Sequence, residues 1–277
     1  MLREPTDSLP QRLLVTLLAD YRHVLGDTVP SAVLVTIFQD FDIAPDATRT
    51  ALSRLVKKSI LERSKSGRTT SYVVTDDAIK MIDEDTNRIV SFGEERTWDG
   101  HWTLVAFSVA ESERARRHTL RTRLRALGFA PLYDGLWGAA HASVDSAQRA
   151  LSDAGVTNAL VIRGDIAGDP ASILAQFRQS WNLDDLANRY RELIRSITPL
   201  IDRARKGLIA PAEALVARTR MMDDWRVFPR QDPDLPDSLL PPQWPRAEAR
   251  ACFLEAWTRL QPAAELRLRL LLDDAGH

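Results

Sequence analysis

Apolar side chains recur at helical spacing from early in the chain. Leu9, Leu13, Leu17 and Tyr21, with Leu14 and Leu18 beside them, line one face and predict a first helix that ends near Gly26. Leu34, Ile37, Phe38 and Phe41 repeat the pattern as a second helix, and Asp42-Ile43-Ala44-Pro45 is a short turn into a third. Pro45 fits a first helical position, although Ala44 before it is a poor cap. In this third helix Ala51, Leu52, Leu55 and Val56 share one face, while Arg49, Thr50, Ser53, Arg54 and Lys57 fall largely on the other. After Lys58 the period changes, and residues 60–64 and 70–74 read as two strands around Lys65-Ser66-Gly67-Arg68. Thr75 can cap a fourth helix that carries Asp76 and Asp77 in its first turn and Ile79, Ile82 and Ile89 in its body. Three helices and a basic hairpin in this order are the plan of a winged helix-turn-helix.

The pattern changes near Trp98. Residues 102–109 form a β-rich run, residues 111–127 have helical composition with Leu120, Leu124 and Leu127 on one side, and residues 129–140 read as a hairpin or a bent strand. A helix over 143–154 and a strand over 158–164 complete a β-α-β, α-β order, which suits a small ferredoxin-like sandwich. Beyond Pro170 the chain reads as helical, with one long candidate from Leu183 to Arg205 interrupted near Pro199 and another from Pro211 into Met221. Residues 225–245 hold six prolines and cannot form a continuous helix; final helices follow from Ala247 to Asp273. The predicted fold class is therefore α+β and multidomain. A winged helix-turn-helix DNA-binding domain covers 1–92, a ferredoxin-like α/β sandwich 98–175, and a mainly helical carboxy-terminal domain 176–277.

Composition narrows the function. At 277 residues the chain exceeds one ordinary core, which fits two or three domains, and its hydrophobic and charged fractions are those of a globular protein. The formal net charge is −1, yet residues 45–72 contain seven Lys or Arg and two acids. Positive charge is concentrated where nucleic acid would be read. With no apolar run of membrane-spanning length and no apolar core in Met1-Leu2-Arg3-Glu4-Pro5, the expectation is a cytoplasmic protein with no membrane partner. Cys252 is the only cysteine, which excludes an intrachain disulfide.

Several motifs extend along nearly the whole chain: Arg49-Thr50-Ala51-Leu52-Ser53-Arg54-Leu55-Val56, Trp98-Asp99-Gly100-His101-Trp102, Gly135-Leu136-Trp137, Trp225-Arg226, Phe228-Pro229, Asp232-Pro233-Asp234-Leu235-Pro236 and Trp244-Pro245. In these the chain resembles the PaaX-like transcriptional repressors of phenylacetate catabolism. It departs at Arg246, where glycine would follow Trp244-Pro245, and at Pro45-Asp46, which replace a small polar helix start. The resemblance implies a homodimeric repressor of a catabolic operon, released from operator DNA by an aryl-acyl-coenzyme A such as phenylacetyl-CoA, with no cofactor.

Position on the elements assigns the candidate contacts. Arg49, Thr50 and Ser53 lie where side chains reach base edges in the major groove; Arg54 and Lys57 suit phosphates, and Lys65 and Arg68 suit the backbone or adjacent minor groove. Either Arg49 or Arg54 could instead serve structure by bonding an acid or a helix carbonyl. Six arginines between 114 and 125 could hold coenzyme A phosphates or form a solvated helix face. For the effector, Arg117 and Arg121 are the candidate phosphate ligands and Trp98, Trp102 and Trp137 the candidate aryl contacts. Leu266, Leu268, Leu270 and Leu271 could contribute to a dimer interface. Two other classes stay open. One is a metal-dependent nuclease built on the ferredoxin-like domain, with its acid displaced to Glu111; the other is an architectural DNA-binding protein with no effector. The scattered histidines and the absence of phosphate-loop motifs predict no catalytic or metal-binding residue.

Overall fold

Helix α1 (Leu9–Leu25) starts after Ser8, whose backbone N–H donates to Gln11 Oε1 at 3.3 Å. It buries Leu13, Leu14, Leu17, Leu18 and Tyr21, the stripe that its sequence spacing predicts. The chain continues through β1 (Thr28–Pro30), α2 (Ser31–Gln39), α3 (Pro45–Lys57), β2 (Leu61–Ser66), β3 (Thr69–Val74) and α4 (Asp76–Ser91). Thr75 caps α4 by accepting from the Ala78 N–H at 3.3 Å, and its own hydroxyl donates to the Ser59 carbonyl at 2.8 Å. Strands β2 and β3 pair antiparallel from Leu61↔Val74 to Ser66↔Thr69, and Gly67 in the tip has φ +59°. Strand β1 was not foreseen: only three residues long, it adds antiparallel to β3 and makes a sheet of order β1-β3-β2. Pro30 is tolerated because β1 is an edge.

The computed structural model describes residues 7–67, 69–94, 96–168 and 170–275. A second sheet is built from β4 (Trp102–Phe107), β5 (Ala130–Tyr133), β6 (Leu136–Ala139) and β7 (Ala159–Gly164), in the order β5-β6-β4-β7 with every pairing antiparallel. Helices α5 (Arg114–Ala126) and α6 (Val144–Asp153) cover one face. Their Leu120, Leu124, Ala147 and Leu151 share a core with Val105, Phe107, Phe129 and Trp137. Gly135 is required where it stands, since a Cβ there would meet the Phe107 carbonyl oxygen at 2.7 Å.

The remaining elements are α7 (Pro170–Trp181), α8 (Leu183–Arg205), α9 (Pro211–Trp225), α10 (Phe228–Gln231) and α11 (Arg246–Ala275). Two expectations are corrected here. Helix α8 is not interrupted at Pro199, and the carboxy-terminal segment is one helix of 30 residues that passes through Pro262. Both prolines are exposed, as are Arg195 and Thr258, whose carbonyls lose the proline-side hydrogen bond, so water can take the donor's place. The buried stripes run through unbroken, Leu193, Ile197 and Ile201 on α8 and Phe253, Ala256, Leu260, Ala264 and Leu268 on α11.

By its contacts the chain divides into two units: Met1–Ser91 with Arg195–Trp225 and Ala251–His277, and Phe92–Ile194 with Arg226–Arg250. In the first, α9 and α11 pack with the amino-terminal helices. Arg218 is buried, donates from Nε to the Trp257 carbonyl at 2.9 Å, and lies over the rings of Tyr21 and Trp257. Asp20 faces it at 3.9 Å. Burial pushes the Tyr21 hydroxyl up to about 12, against the pull of Arg218. Trp225 stacks on Phe253 and donates from Nε1 to the Ile89 carbonyl at 3.2 Å. Of the four carboxy-terminal leucines singled out from sequence, Leu268 and Leu271 are buried in this unit, and Leu266 and Leu270 are exposed.

In the second unit the proline-rich segment folds around Arg246. Its guanidinium donates to Asp234 Oδ1 at 2.9 Å, the Leu235 carbonyl at 3.1 Å and Asp237 Oδ1 at 3.3 Å, with buried Asp232 at 3.4 Å. Asp232 also accepts from the Tyr190 hydroxyl and the Asp234 N–H, both at 2.7 Å. The residue that replaces an expected glycine therefore organises the loop, and burial together with Asp232 holds the Tyr190 hydroxyl well above its usual range.

Candidate nucleic-acid interface

Helix α3 turns Thr48, Ala51, Leu52 and Leu55 inward and leaves Arg49, Thr50, Ser53, Arg54 and Lys57 exposed, together with Lys65 on β2. Arg68 lies outside the described residues. The five helix residues thus share the outer side of α3, and Lys65 is at the far end of the hairpin. Their charges are lightly engaged. Arg49 donates to Asp46 at 2.8 Å, a carboxylate almost fully in solvent, and Arg54 reaches Gln11 Oε1 at 3.5 Å. Among the described residues no carboxylate lies within 4 Å of Lys57 or Lys65. Lys58 differs: it is tied to Asp7 at 2.7 Å.

The turn before α3 is held from the carboxy-terminal helices of the same unit. Arg220 on α9 donates to the Phe41 carbonyl at 3.1 Å, and Arg267 on α11 makes a two-pronged pair with Asp40 at 2.8 and 2.9 Å. Arg12 on α1 likewise donates to Asp223 on α9. These positioning residues are invisible to pattern reading, because each joins positions about two hundred apart in sequence.

The proposed effector residues are not brought together. Trp98 and Trp102 pack edge to face with ring centroids 5.5 Å apart. Trp137 is opposite Val105 in the helix-covered core, and Trp102, three residues before Val105, points to the other face of the sheet. Arg117 and Arg121 sit on the helix that follows the far end of β4, about 17 Å of strand away from Trp102. They line a cleft of about 370 Å³ with Arg114, His118 and Glu111. Arg117 donates to Glu111 at 3.0 Å and the Val109 carbonyl at 2.7 Å, and Arg121 to Asp134 at 2.8 Å. The Trp98-Asp99-Gly100-His101-Trp102 motif is a self-locking turn in which Trp98 Nε1 donates to the His101 carbonyl, Asp99 accepts from the His101 N–H, and Arg163 pairs with Asp99. The His101 backbone N–H first, then Arg163, hold the Asp99 carboxyl below its ordinary value.

Glu111 is exposed and bonded to Arg117. Among the described residues no group of three or more His, Cys, Asp or Glu could hold a metal ion, and no helix is long and apolar enough to cross a membrane. Reading from sequence missed a larger cavity in the second unit, lined by Arg96, His141, Trp244 and Arg246 among others. Its one sequence signal is the arginine at 246.

An exposed basic helix followed by an antiparallel hairpin, in a chain with a second sandwich-like sheet, defines a class of nucleic-acid-binding regulators. Three models of one family match in succession: PaaX-like protein over residues 10–78, the PaaX protein central Cas2-like domain over 95–172, and the PaaX-like protein C-terminal domain over 181–269. The chain belongs to the PaaX-like family. It is 26% identical over 260 residues to the transcriptional repressor PaaX of Escherichia coli strain K12, covering 91% of this chain and 80% of that one. The solved structure of Rv0674, an uncharacterised protein of Mycobacterium tuberculosis, shares the fold with a TM-score of 0.60 at 20% identity, over 93% of this chain and 97% of that one.

Proposed function

We propose that this protein is a cytoplasmic, homodimeric transcriptional repressor that reads operator DNA through α3 and the β2–β3 hairpin. The observation that carries the reading is the outer side of α3, where Arg49, Thr50, Ser53, Arg54 and Lys57 are all exposed and, among the described residues, no acid lies within 4 Å of Lys57. Arg49, Thr50 and Ser53 face base edges, Arg54 and Lys57 phosphates, and Lys65 the flanking backbone or adjacent minor groove. The element order of residues 1–92 supports a winged helix-turn-helix, and the order β5-β6-β4-β7 with two helices on one face supports a ferredoxin-like sandwich over 98–175. Residues 176–277 form the third, mainly helical part. The relative named as a transcriptional repressor supports a regulator rather than an enzyme.

The regulated operon is one for aromatic-acid breakdown, of the phenylacetate type, and an aryl-acyl-CoA such as phenylacetyl-CoA releases the protein from DNA. The Arg117 and Arg121 cleft is the candidate site for its phosphates: Arg114 lines it as well, and Arg117 and Arg121 would give up Glu111 and Asp134, both mostly in solvent, to bind them. Release requires only that the ligand prefer the DNA-incompetent state, by about 1–3 kcal/mol in a typical case. Fluorescence anisotropy with duplexes from upstream of the protein's own gene tests the DNA half. Binding to one duplex should exceed binding to scrambled DNA and fall steeply with salt; equal, weak binding to every duplex would sink the reading.

A further inference from the structure

The β2–β3 hairpin has two chemically different faces, because residues paired across the strands point the same way and alternate along each strand. Leu61, 1% exposed, is opposite Val74 on the face turned to the core, and Val29 of β1, 2% exposed, is opposite Tyr72 on that same face. The two-residue period then carries Arg63 and Lys65 onto this face, across from Tyr72 and Thr70. All four of those side chains offer a hydrogen-bond donor and none is an acid. The other face takes Glu62 and Ser64, opposite Val73 and Ser71. The acid of β2 and its two cations are thus separated by the pleat.

We infer that the core-side face of the hairpin is a phosphate-binding row, in which Arg63 joins Lys65 on the DNA backbone and the Tyr72 and Thr70 hydroxyls are auxiliary donors. The inference rests on the DNA-binding reading of α3 and extends the contact inward, from the hairpin tip to the first exposed residue above the core. Three observations carry it. Arg63 is exposed, and among the described residues no carboxylate lies within 4 Å of it, so its guanidinium has no pair to give up, unlike those of Arg117 and Arg121. Arg63 and Lys65 are spaced by about 7 Å along the strand, comparable to neighbouring phosphates of one DNA strand. Finally, the base of the hairpin is tied to α3 and to the start of α4. The Ile60 N–H donates to the Leu55 carbonyl at 3.0 Å, and the Ile60 carbonyl accepts from the Thr75 N–H at 3.1 Å. The row is therefore held at a fixed offset from the exposed residues of α3, and a duplex on one can be met by the other without rearrangement.

The test is fluorescence anisotropy on the full chain, with the preferred duplex from upstream of its own gene and a scrambled duplex, each titrated over salt. Arg63→Ala should weaken both duplexes by the same factor, about fivefold at low salt, and lower the salt slope by about 1, whereas Arg63→Lys should keep the slope. The choice of face is checked by adding charge: Thr70→Lys should raise affinity and steepen the slope by about 1, and Ser64→Lys, on the other face, should do neither. Melting curves should match the wild type, and if Arg63→Ala melts early, Arg63→Gln, which keeps the stem, takes its place. An unchanged salt slope in Arg63→Ala, with the wild type still selecting its duplex, would overturn the row and leave the reading through α3 in place. Loss confined to the preferred duplex would overturn it as well, since Arg63 would then read a base. Equal gains from Thr70→Lys and Ser64→Lys would show that net charge alone matters, and a wild type that binds no duplex would end both readings.

Discussion

Helices α3 and α5 are each 13 residues long and both carry basic outer faces, yet their charges are in different states. On α5, Arg116, Arg117, Arg121 and Arg123 each end on a carboxylate, and Arg125 lies over the Trp137 ring at 5.3 Å. On α3, Arg49 holds one solvated aspartate, Arg54 an amide oxygen, and Lys57, among the described residues, no acid. A cation that already has a carboxylate gains less from a phosphate, because the old pair must be broken first. Availability, and not the number of arginines, is therefore what favours α3 as the proposed DNA-facing helix. The same holds for Arg246, which is buried and donates to three side-chain carboxylates and the Leu235 carbonyl, and for Arg218, which is buried against Asp20 and two aromatic rings.

The largest effect should come from an enclosed cation. Arg218→Leu removes the partner of buried Asp20 and the cation above Tyr21 and Trp257, and should cost about 3–5 kcal/mol in urea unfolding. Duplex affinity per folded molecule should stay near wild type. A loss under about 1 kcal/mol would mean that Arg218 is spectator to the packing of α1, α9 and α11.

The exposed cations of α3 and the hairpin should behave in the reverse way. Arg49→Ala is expected to lower affinity for the preferred duplex by about 1–3 kcal/mol and to relax base preference, with stability changed by less than about 0.5 kcal/mol. Lys65→Ala should weaken all duplexes alike and reduce the salt slope by about 1. If Arg49→Ala weakens every duplex equally, Arg49 is a phosphate ligand and the reading of bases moves to Thr50 and Ser53.

Much of this contrast was legible in residues close in sequence. The helical stripe of α1, the amphipathic α3 and the presence of the β2–β3 hairpin follow from local periodicity, although β2 runs on through Lys65 and Ser66, which the spacing places in the turn. What escaped depends on distant partners. The three-residue β1 has too few positions to show a period, and it exists because β3 offers it an edge. Pro199 and Pro262 read as breaks, but side-chain burial on the opposite faces outweighs one missing hydrogen bond in solvent. Trp98, Trp102 and Trp137 looked like one cluster because aromatic composition says nothing about which face of a sheet each residue takes.

Next in size, Arg123→Ala should cost less than about 1 kcal/mol of stability, since Arg123 and Asp153 are both about half exposed. It should leave duplex affinity unchanged at fixed ionic strength. A clear loss of DNA binding would show that α5 supplies a second contact surface, and the contrast with α3 would fail.

The smallest effect concerns acid. Glu255 is held below its ordinary 4.5 by hydrogen bonds from Arg259 and Arg205, and Glu265 by His23 and Gln261. Both bind protons less readily folded than unfolded. Their contribution is therefore fully present above the ordinary glutamate range and is lost as pH falls through the lowered folded values. Because both carboxyls are partly in solvent and their partners are screened by salt, the loss should be gradual. The melting temperature should decline below about pH 4.5, with a shallower decline in Glu255→Gln, which keeps the side-chain length but has no proton to gain there. High salt should shrink the difference between the two proteins. Parallel declines at every salt concentration would show that the Arg205, Glu255 and Arg259 contacts are surface pairs of no consequence, and that acid sensitivity arises from other carboxyls.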